Sequence, residues 1–237
     1  GSSDSNTQID GVGTFCHEFS HCLGLPDFYE TTYKYGYYGM GSWSLMDSGC
    51  YNDDGYNPIG YSGYEKDFMG WVTLTTPKAG THYTLPVFNR KSADTDVALK
   101  IVNDADANEY YVVENRQPQG WDADIPSTGG LLITHVTYSA SVWTNNTVNN
   151  SSKQRMTPIA ADNVLSTATE YADLWPYNGV NALTDTSTPA AKVNTGSYMG
   201  KPITEITQNS DGSVSFYYIK SDAPDFDTYT PEQATIP

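Results

Sequence analysis

Basic residues are scarce in this sequence. Its 237 residues include 12 Lys and Arg against 28 Asp and Glu, which gives a formal net charge of −16. Such an acidic chain repels the phosphate backbone of nucleic acids, so we expect no nucleic-acid partner. The sequence also lacks a run of about 20 apolar residues, the length that a membrane-spanning helix needs. A membrane span is therefore not expected.

Cysteine is scarce as well, and the three that occur, Cys16, Cys22 and Cys50, have no C-x-x-C spacing. Neither a disulfide framework nor a thiolate zinc site is indicated, although one disulfide with one free thiol stays open. We expect Cys16 and Cys22 to pack in the core. Tyrosine, by contrast, occurs 19 times, and Thr, Ser, Asn and Asp fill short alternating segments. This composition favours an extracellular, β-rich protein.

Apolar residues recur at three- and four-residue spacing between residues 7 and 23, which predicts a half-buried helix. They are Ile9, Val12, Phe15, Cys16, Phe19, Cys22 and Leu23. Gly24 can take the left-handed conformation that ends a helix, and Pro26 cannot continue one. The helix is therefore predicted to end near residue 23.

His17, Glu18 and His21 form an H-E-x-x-H motif inside this helix. Side chains four residues apart lie on one helix face at about 5–6 Å, so both imidazoles can bind one ion. Zinc binds imidazole nitrogen at about 2.0–2.1 Å and keeps one position for water beside three protein ligands. Glu18 is the predicted general base that takes a proton from this water. Peptide hydrolysis is the predicted reaction.

The motif continues to Gly24 and Asp27, which extends it to H-E-x-x-H-x-x-G-x-x-D. A sharp turn at Gly24 lets a residue shortly after His21 return to the same ion. Asp27 is therefore the predicted third metal ligand, with a carboxylate oxygen in place of the commoner histidine. The alternative third ligand is Glu65, but the turn at Gly24 would then have no purpose.

The rest of the sequence changes from loop to strand character. Residues 28–61 are rich in Gly and Tyr without periodicity, which is typical of a long functional loop. Ser62 and Glu65 form a capping box that predicts a short helix. Six later segments predict strands, and the turn at residues 210–213 predicts a hairpin between the last two. The segments are Tyr83–Phe88, Val97–Val102, Glu109–Glu114, Leu131–Tyr138, Ile203–Ile206 and Val214–Ile219.

Residues 41–47, with the sequence GSWSLMD, follow the extended zinc motif. In this combination the sequence resembles the immune inhibitor A-type metallopeptidases of bacteria, which belong with the metzincin-like zinc proteases. The segment Pro58–Trp71 and residues 130–136 are also similar to that family. The resemblance implies a secreted or cell-surface endopeptidase acting on proteins or peptides. It also implies that Met46 lies in a turn beneath the metal and supports the histidine ligands.

The resemblance further implies an α+β fold. A metzincin-like C-terminal catalytic subdomain is expected over residues 1–73, a β-sandwich-like domain over 74–220, and a linker toward a further module over 221–237. Such proteases have an N-terminal subdomain before the zinc helix, whereas only 16 residues precede His17. With this subdomain missing, the chain either lacks the upper wall of its cleft or receives it from elsewhere, and by itself it is expected to bind zinc poorly and to cleave slowly. Calcium is a second expected cofactor, with the run Asn52–Gly55 as its candidate site.

A different class of function stays open: a non-catalytic binding module that recognises glycans or host proteins and carries a vestigial zinc helix. Trp121, Trp143 and Trp175 are its candidate surface residues, although tryptophans in β-rich domains lie more often in the core. The remaining histidines, His82 and His135, stand alone in strand-like segments. We interpret both as structural.

Overall fold

The computed structural model describes residues 11–90 and 96–220. Within these ranges it contains three α-helices, α1 (Val12–Cys22), α2 (Gly63–Phe68) and α3 (Ala140–Thr144). It also contains seven strands: β1 (Thr81–Leu85), β2 (Ala98–Asn103), β3 (Asp106–Arg116), β4 (Gly130–Thr137), β5 (Met156–Pro158), β6 (Ile203–Gln208) and β7 (Val214–Tyr218). Short 3-10 turns occupy Gly41–Trp43, Ser48–Gly55, Gly120–Asp122 and Glu170–Ala172.

The strands form two antiparallel sheets, one with the order β2-β3-β4-β5 and one with the order β1-β7-β6. Helices and antiparallel sheets together make an α+β fold, as predicted. The predicted hairpin is confirmed, because β6 and β7 pair on either side of the turn. The six predicted segments each overlap one strand, whereas β5 and α3 were not predicted.

The four-stranded sheet is buried on both faces. Along β3, Tyr111 and Val113 join a core with residues of the three-stranded sheet, such as Phe216. The alternate residues Tyr110 and Val112 join a second core. Besides sheet residues, this second core contains side chains from before β1: Leu25, Phe28, Met40, Trp43, Leu45, Met46, Cys50, Ile59, Tyr64 and Leu74. The two predicted domains therefore share a hydrophobic core, while the boundary at residue 73 stays a prediction.

Helix α1 buries a different face from the predicted one. Its apolar residues are largely solvent-exposed, with exposed fractions of 50% for Val12, 67% for Phe15 and 51% for Phe19. The buried side consists of Gly13, His17 and Ser20. Gly13 sits so close to the turn at residues 48–55 that an added Cβ would lie 1.8 Å from the carbonyl oxygen of Cys50. Close approach at Gly13 and the burial of His17 and Ser20, rather than apolar area, determine how α1 packs.

The expected core role of the cysteines is correct only in part. All three are free thiols; Cys50 is buried and Cys16 is half-buried, but Cys22 is exposed. Cys22 is exposed because it lies at the last turn of α1, away from the face that packs.

Two predictions fall outside the described residues: the start of the helix before residue 11 and the linker at 221–237. In the part of the chain that the structure describes, none of the helices is long and apolar enough to cross a membrane.

Candidate metal centre

His17 and His21 lie one turn apart on α1, and their ring centroids are 5.0 Å apart. His17 Nδ1 is 2.8 Å from the carbonyl oxygen of Leu45, and His21 Nδ1 is 2.8 Å from that of Leu25. Since a carbonyl only accepts, each Nδ1 carries the proton that it donates. Both Nε2 atoms are thereby directed to the same side, where they can bind a cation.

Asp27 returns to these two imidazoles through the turn at Gly24. Gly24 has φ +96°, the left-handed region predicted for it, and its N–H donates to the carbonyl oxygen of His21. The Oδ1 atom of Asp27 lies 3.0 Å from His17 Nε2 and 3.3 Å from His21 Nε2. The structure therefore brings together the three side chains that the sequence predicts as metal ligands.

The donor set fits a zinc ion. Two ligand atoms at about 2.0–2.1 Å from zinc in tetrahedral geometry lie about 3.3 Å apart. The nitrogen-to-oxygen distances of 3.0 and 3.3 Å match this separation. Among the described residues, His17, His21 and Asp27 form a group whose ligand atoms all lie within 4.8 Å of one another. Two nitrogens and one carboxylate oxygen also leave a fourth position open.

The electrostatics of the site favour a positive charge between the imidazoles and Asp27. Burial acts to lower the pKa of His17, but its interactions with Asp27, Cys50 and Leu45 outweigh this and raise the pKa to about 10. Burial acts to raise the pKa of Asp27, but hydrogen bonds from His17 and Asn146 hold it below its usual value. An unshared Nε2 lone pair and a carboxylate oxygen repel each other unless a proton or a metal ion lies between them.

Asn146 positions Asp27 from a distant part of the chain. Its Oδ1 accepts a hydrogen bond of 2.7 Å from the backbone N–H of Asp27, and its Nδ2 donates one of 2.6 Å to Asp27 Oδ2. Asn149 Nδ2 donates to the carbonyl oxygen of Phe28, and Asn150 contacts Thr31 through backbone and side chain. This contact is not predictable from the sequence, because the polar run at residues 145–150 gives no signal of its spatial partner.

Replacing Asn146 by Ala is expected to weaken zinc binding by about tenfold to a hundredfold, as loss of a hydrogen bond to a metal ligand typically does. Asp27 Oδ2 would lose its donor, and the carboxylate would no longer be held toward the histidines. Asn178→Ala is the matched control, since both asparagines have positive φ, 54° and 46°. Zinc titration against a competing chelator measures the effect. Equal affinities of the two variants would contradict this role of Asn146.

Met46 lies in a tightly hydrogen-bonded turn, and its side chain is fully buried. The carbonyl oxygen of Met46 accepts from the N–H of Phe28, and the N–H of Asp47 donates to the carbonyl oxygen of Ser44. The turn thus contacts the backbone directly after Asp27 as well as the ring of His17 through Leu45. Support of the histidines by the Met46 side chain stays a prediction.

A cleft of about 440 Å³ opens beside His17. Glu18, which is exposed, lines it together with Tyr29, and the Tyr29 ring stacks on the His17 ring at a centroid distance of 6.5 Å. Burial raises the pKa of Tyr29, as do Tyr33 and the charge of Asp27. The hydroxyl of Tyr29 is thus held as a neutral donor beside the candidate ligands.

The far side of this cleft is a loop held by the buried carboxylate of Glu30. Oε1 accepts from Thr32 Oγ1 and from the N–H groups of Lys34 and Tyr35, and Oε2 accepts from those of Tyr35 and Tyr37. Burial acts to raise the pKa of Glu30, but these donors lower it to about 2. The carboxylate of Glu30 therefore fixes the conformation of residues 32–37. The sequence indicates only that this tyrosine-rich segment lacks periodicity.

Glu65, the alternative third ligand, is not at the metal centre. Its side chain is fully buried, and its oxygens accept from Ser44, Met46 and Ser62. The alternative is therefore wrong, because both carboxylate oxygens are directed to the turn around Met46 and to the start of α2. The predicted capping box of α2 is confirmed.

Other candidate residues lie away from this centre. Asp53 and Asp54 are exposed and belong to no three-residue ligand group among residues 11–90 and 96–220, so calcium stays a prediction. Trp143 and Trp175 are buried, and Trp121 is exposed. Two of the three proposed surface tryptophans thus cannot contact a glycan.

The isolated histidines have structural contacts. The His82 ring contacts the Tyr217 ring in a tilted arrangement at a centroid distance of 4.6 Å, and His135 Nε2 is 2.7 Å from Glu109 Oε1. Both contacts lie within or between strands, as the structural interpretation expects.

Comparison with known proteins identifies the segment that holds the three candidate ligands. Residues 6–72 match the family model described as the immune inhibitor A peptidase M6 catalytic domain. Pre-pro-metalloprotease PrtV of Vibrio cholerae serotype O1, from strain M66-2 and from strain ATCC 39315 / El Tor Inaba N16961, is 38% identical over 64 residues. This match covers 26% of the present chain and 7% of each relative. The resemblance to the immune inhibitor A-type metallopeptidases is thereby confirmed, and residues 6–72 carry it.

Proposed function

We propose that this chain provides the metal-binding and catalytic part of a zinc-dependent endopeptidase that hydrolyses peptide bonds of extracellular proteins. The convergence of His17 Nε2 and His21 Nε2 on Asp27 Oδ1 is the observation that carries the proposal. A zinc ion bound there supplies an acidified water and polarises a carbonyl group. The matches to a peptidase catalytic domain and to a metalloprotease support this reaction class.

The remaining steps belong to side chains that line the cleft. Glu18 follows His17 on α1, so its carboxylate can accept a proton from the attacking water and pass it to the leaving amine nitrogen. Tyr29 lies against His17, where its hydroxyl can donate a hydrogen bond to the carbonyl oxygen of a bound peptide. The cleft beside them accommodates an extended peptide segment.

The test is metal analysis of the full-length protein together with cleavage of casein. We expect one zinc ion per chain at this site, loss of cleavage on treatment with a chelator, and recovery on addition of zinc. A protein that cleaves casein equally well after complete removal of metal would contradict the proposal.

The exposed apolar side of α1 supports the prediction of a partner subdomain. Phe15 and Phe19 stack at a centroid distance of 6.1 Å, and Val12 and Leu23 are also exposed. Contiguous apolar surface of this kind marks an interface in soluble proteins. We propose that the N-terminal subdomain, expected from the family resemblance, covers this side of α1.

Replacing Phe15 and Phe19 by Gln is expected to destabilise the full-length protein, because each buried phenylalanine contributes about 1.5–3 kcal/mol. In the 237-residue chain alone, the same double variant should associate less with itself and keep its affinity for zinc. Tyr171→Gln, a change at another exposed aromatic residue, serves as the control. Thermal unfolding and sedimentation measure the two effects. An unchanged melting temperature of the full-length variant would argue against a buried helix face.

The amino-acid composition is typical of extracellular proteins. We propose that this protein is secreted or acts at the cell surface. Calcium sites and a module beyond residue 220 remain part of the proposal.

A further inference from the structure

The peptide group between Leu45 and Met46 is hydrogen-bonded on both sides. Its carbonyl oxygen, on Leu45, accepts the proton of His17 Nδ1 at 2.8 Å. Its N–H, on Met46, lies 3.0 Å from Ser44 Oγ and 3.3 Å from Glu65 Oε1. In a trans peptide these two groups point in opposite directions, so the peptide plane joins His17 on one side to Glu65 on the other.

Glu65 is firmly fixed at this place. Its side chain is fully buried, Oε1 accepts from Ser44 Oγ at 2.6 Å, and Oε2 accepts from the N–H of Ser62 at 2.6 Å. The hydroxyl of Ser44 therefore donates to Glu65 and accepts from Met46. The second carboxylate oxygen of Glu65, Oε2, takes part in the capping box of α2 through its contact with Ser62.

We propose that Glu65 is a positioning residue that acts on the metal ligand His17 through the Leu45–Met46 peptide group. The proposal rests on the metal site put forward above. Glu65 then has a second function besides capping α2. The turn around Met46 links α2 to the metal centre.

Two physical effects follow from this arrangement. A carboxylate that accepts from a peptide N–H increases the polarisation of the carbonyl group, and hydrogen bonds in such a chain strengthen one another. The carbonyl oxygen of Leu45 thus becomes a better acceptor for the Nδ1 proton, which makes Nε2 of His17 a stronger metal ligand. The same contacts fix the plane of the peptide group and, with it, the orientation of the imidazole ring.

Four variants separate the effect on His17 from the cap of α2. Glu65→Gln keeps the size of the side chain but removes its charge, and Ser44→Ala removes the hydroxyl next to Met46 without touching the cap. Ser62→Ala removes the side-chain cap that accepts from Glu65 N and leaves the turn intact. Glu114→Gln is the matched control, because Glu114 is also buried and accepts from the N–H of Gly63 at the start of the same helix.

Zinc affinity of the full-length variants, the absorption bands of their cobalt-substituted forms and thermal unfolding are the measurements. We expect Glu65→Gln and Ser44→Ala to weaken zinc binding by about tenfold or more and to shift the cobalt bands. Ser62→Ala and Glu114→Gln should lower the melting temperature but keep the zinc affinity within about twofold of wild type. This twofold limit lies well below the roughly tenfold loss of metal affinity that is typical when a metal ligand loses a supporting contact.

The outcomes separate this inference from the proposed function. Wild-type zinc affinity and cobalt bands in both Glu65→Gln and Ser44→Ala would overturn the positioning role alone. The positioning role would also be overturned if Ser62→Ala and Glu114→Gln weakened zinc binding as much as Glu65→Gln and Ser44→Ala do. The loss of zinc affinity would then reflect general destabilisation of the protein. A wild-type protein that binds neither zinc nor cobalt would overturn the proposed function and this inference with it.

Discussion

Replacing Glu18 by Gln is expected to lower the rate of peptide hydrolysis by the full-length protein about 10²- to 10⁴-fold, while the zinc content stays unchanged. This range is what a positioned general acid or base contributes to a reaction. Glu18 is exposed in the cleft beside His17 and does not belong to the group of candidate ligands. Gln has nearly the same size but cannot accept the proton of the attacking water.

Zinc content and the kcat for a fluorogenic peptide, measured on the same preparation, test this expectation. Glu205→Gln is the control, because this glutamate is half exposed and lies on β6, paired with Lys220. Cleavage at the wild-type rate would show that Glu18 is not the base. Loss of zinc together with activity would assign Glu18 to the metal site instead.

The second large effect is expected for Asp27→Ala, which should reduce zinc affinity by more than about a hundredfold and abolish hydrolysis. Only two imidazole ligands would remain, and a catalytic zinc site needs three protein ligands. The loss of zinc affinity should exceed that of Asn146→Ala or Glu65→Gln. Those residues support a ligand and do not bind the metal themselves, and loss of such a supporting residue typically lowers metal affinity by about tenfold to a hundredfold.

Asp185→Ala provides the control for removal of a carboxylate elsewhere; Asp185 accepts from the N–H of Gly200 in a loop before β6. Competition with a chelator gives the affinities, and circular dichroism verifies that each variant is folded. If Asp27→Ala bound zinc as tightly as wild type, the assignment of the third ligand would be wrong.

Local geometry explains why much of the candidate centre was predictable. Two histidines at i and i+4 must share a face of a helix, and a glycine at the helix end permits the return of the chain. Both features depend only on residues close in sequence, and the structure has them at His17, His21 and Gly24. The strands were predicted for a similar reason, since alternation and turn residues are local signals.

The buried face of α1 was not predictable in this way. Periodicity shows that apolar residues share a side, but the side that packs within the described chain is the one with Gly13 and His17. Phe15 and Phe19 follow the expected spacing and are nonetheless exposed. A periodic pattern indicates that a partner is needed, and it does not say which part of a protein provides that partner.

Spacing over a few residues is enough to predict the helix, the turn at Gly24 and the candidate set of two histidines and one aspartate. How this set is held depends on contacts between residues far apart in the sequence. Asn146 reaches Asp27 from 119 residues away, and Glu65 reaches Met46 from 19 residues away. Contacts of this kind depend on how the whole chain packs around its core, which no local pattern of residues specifies.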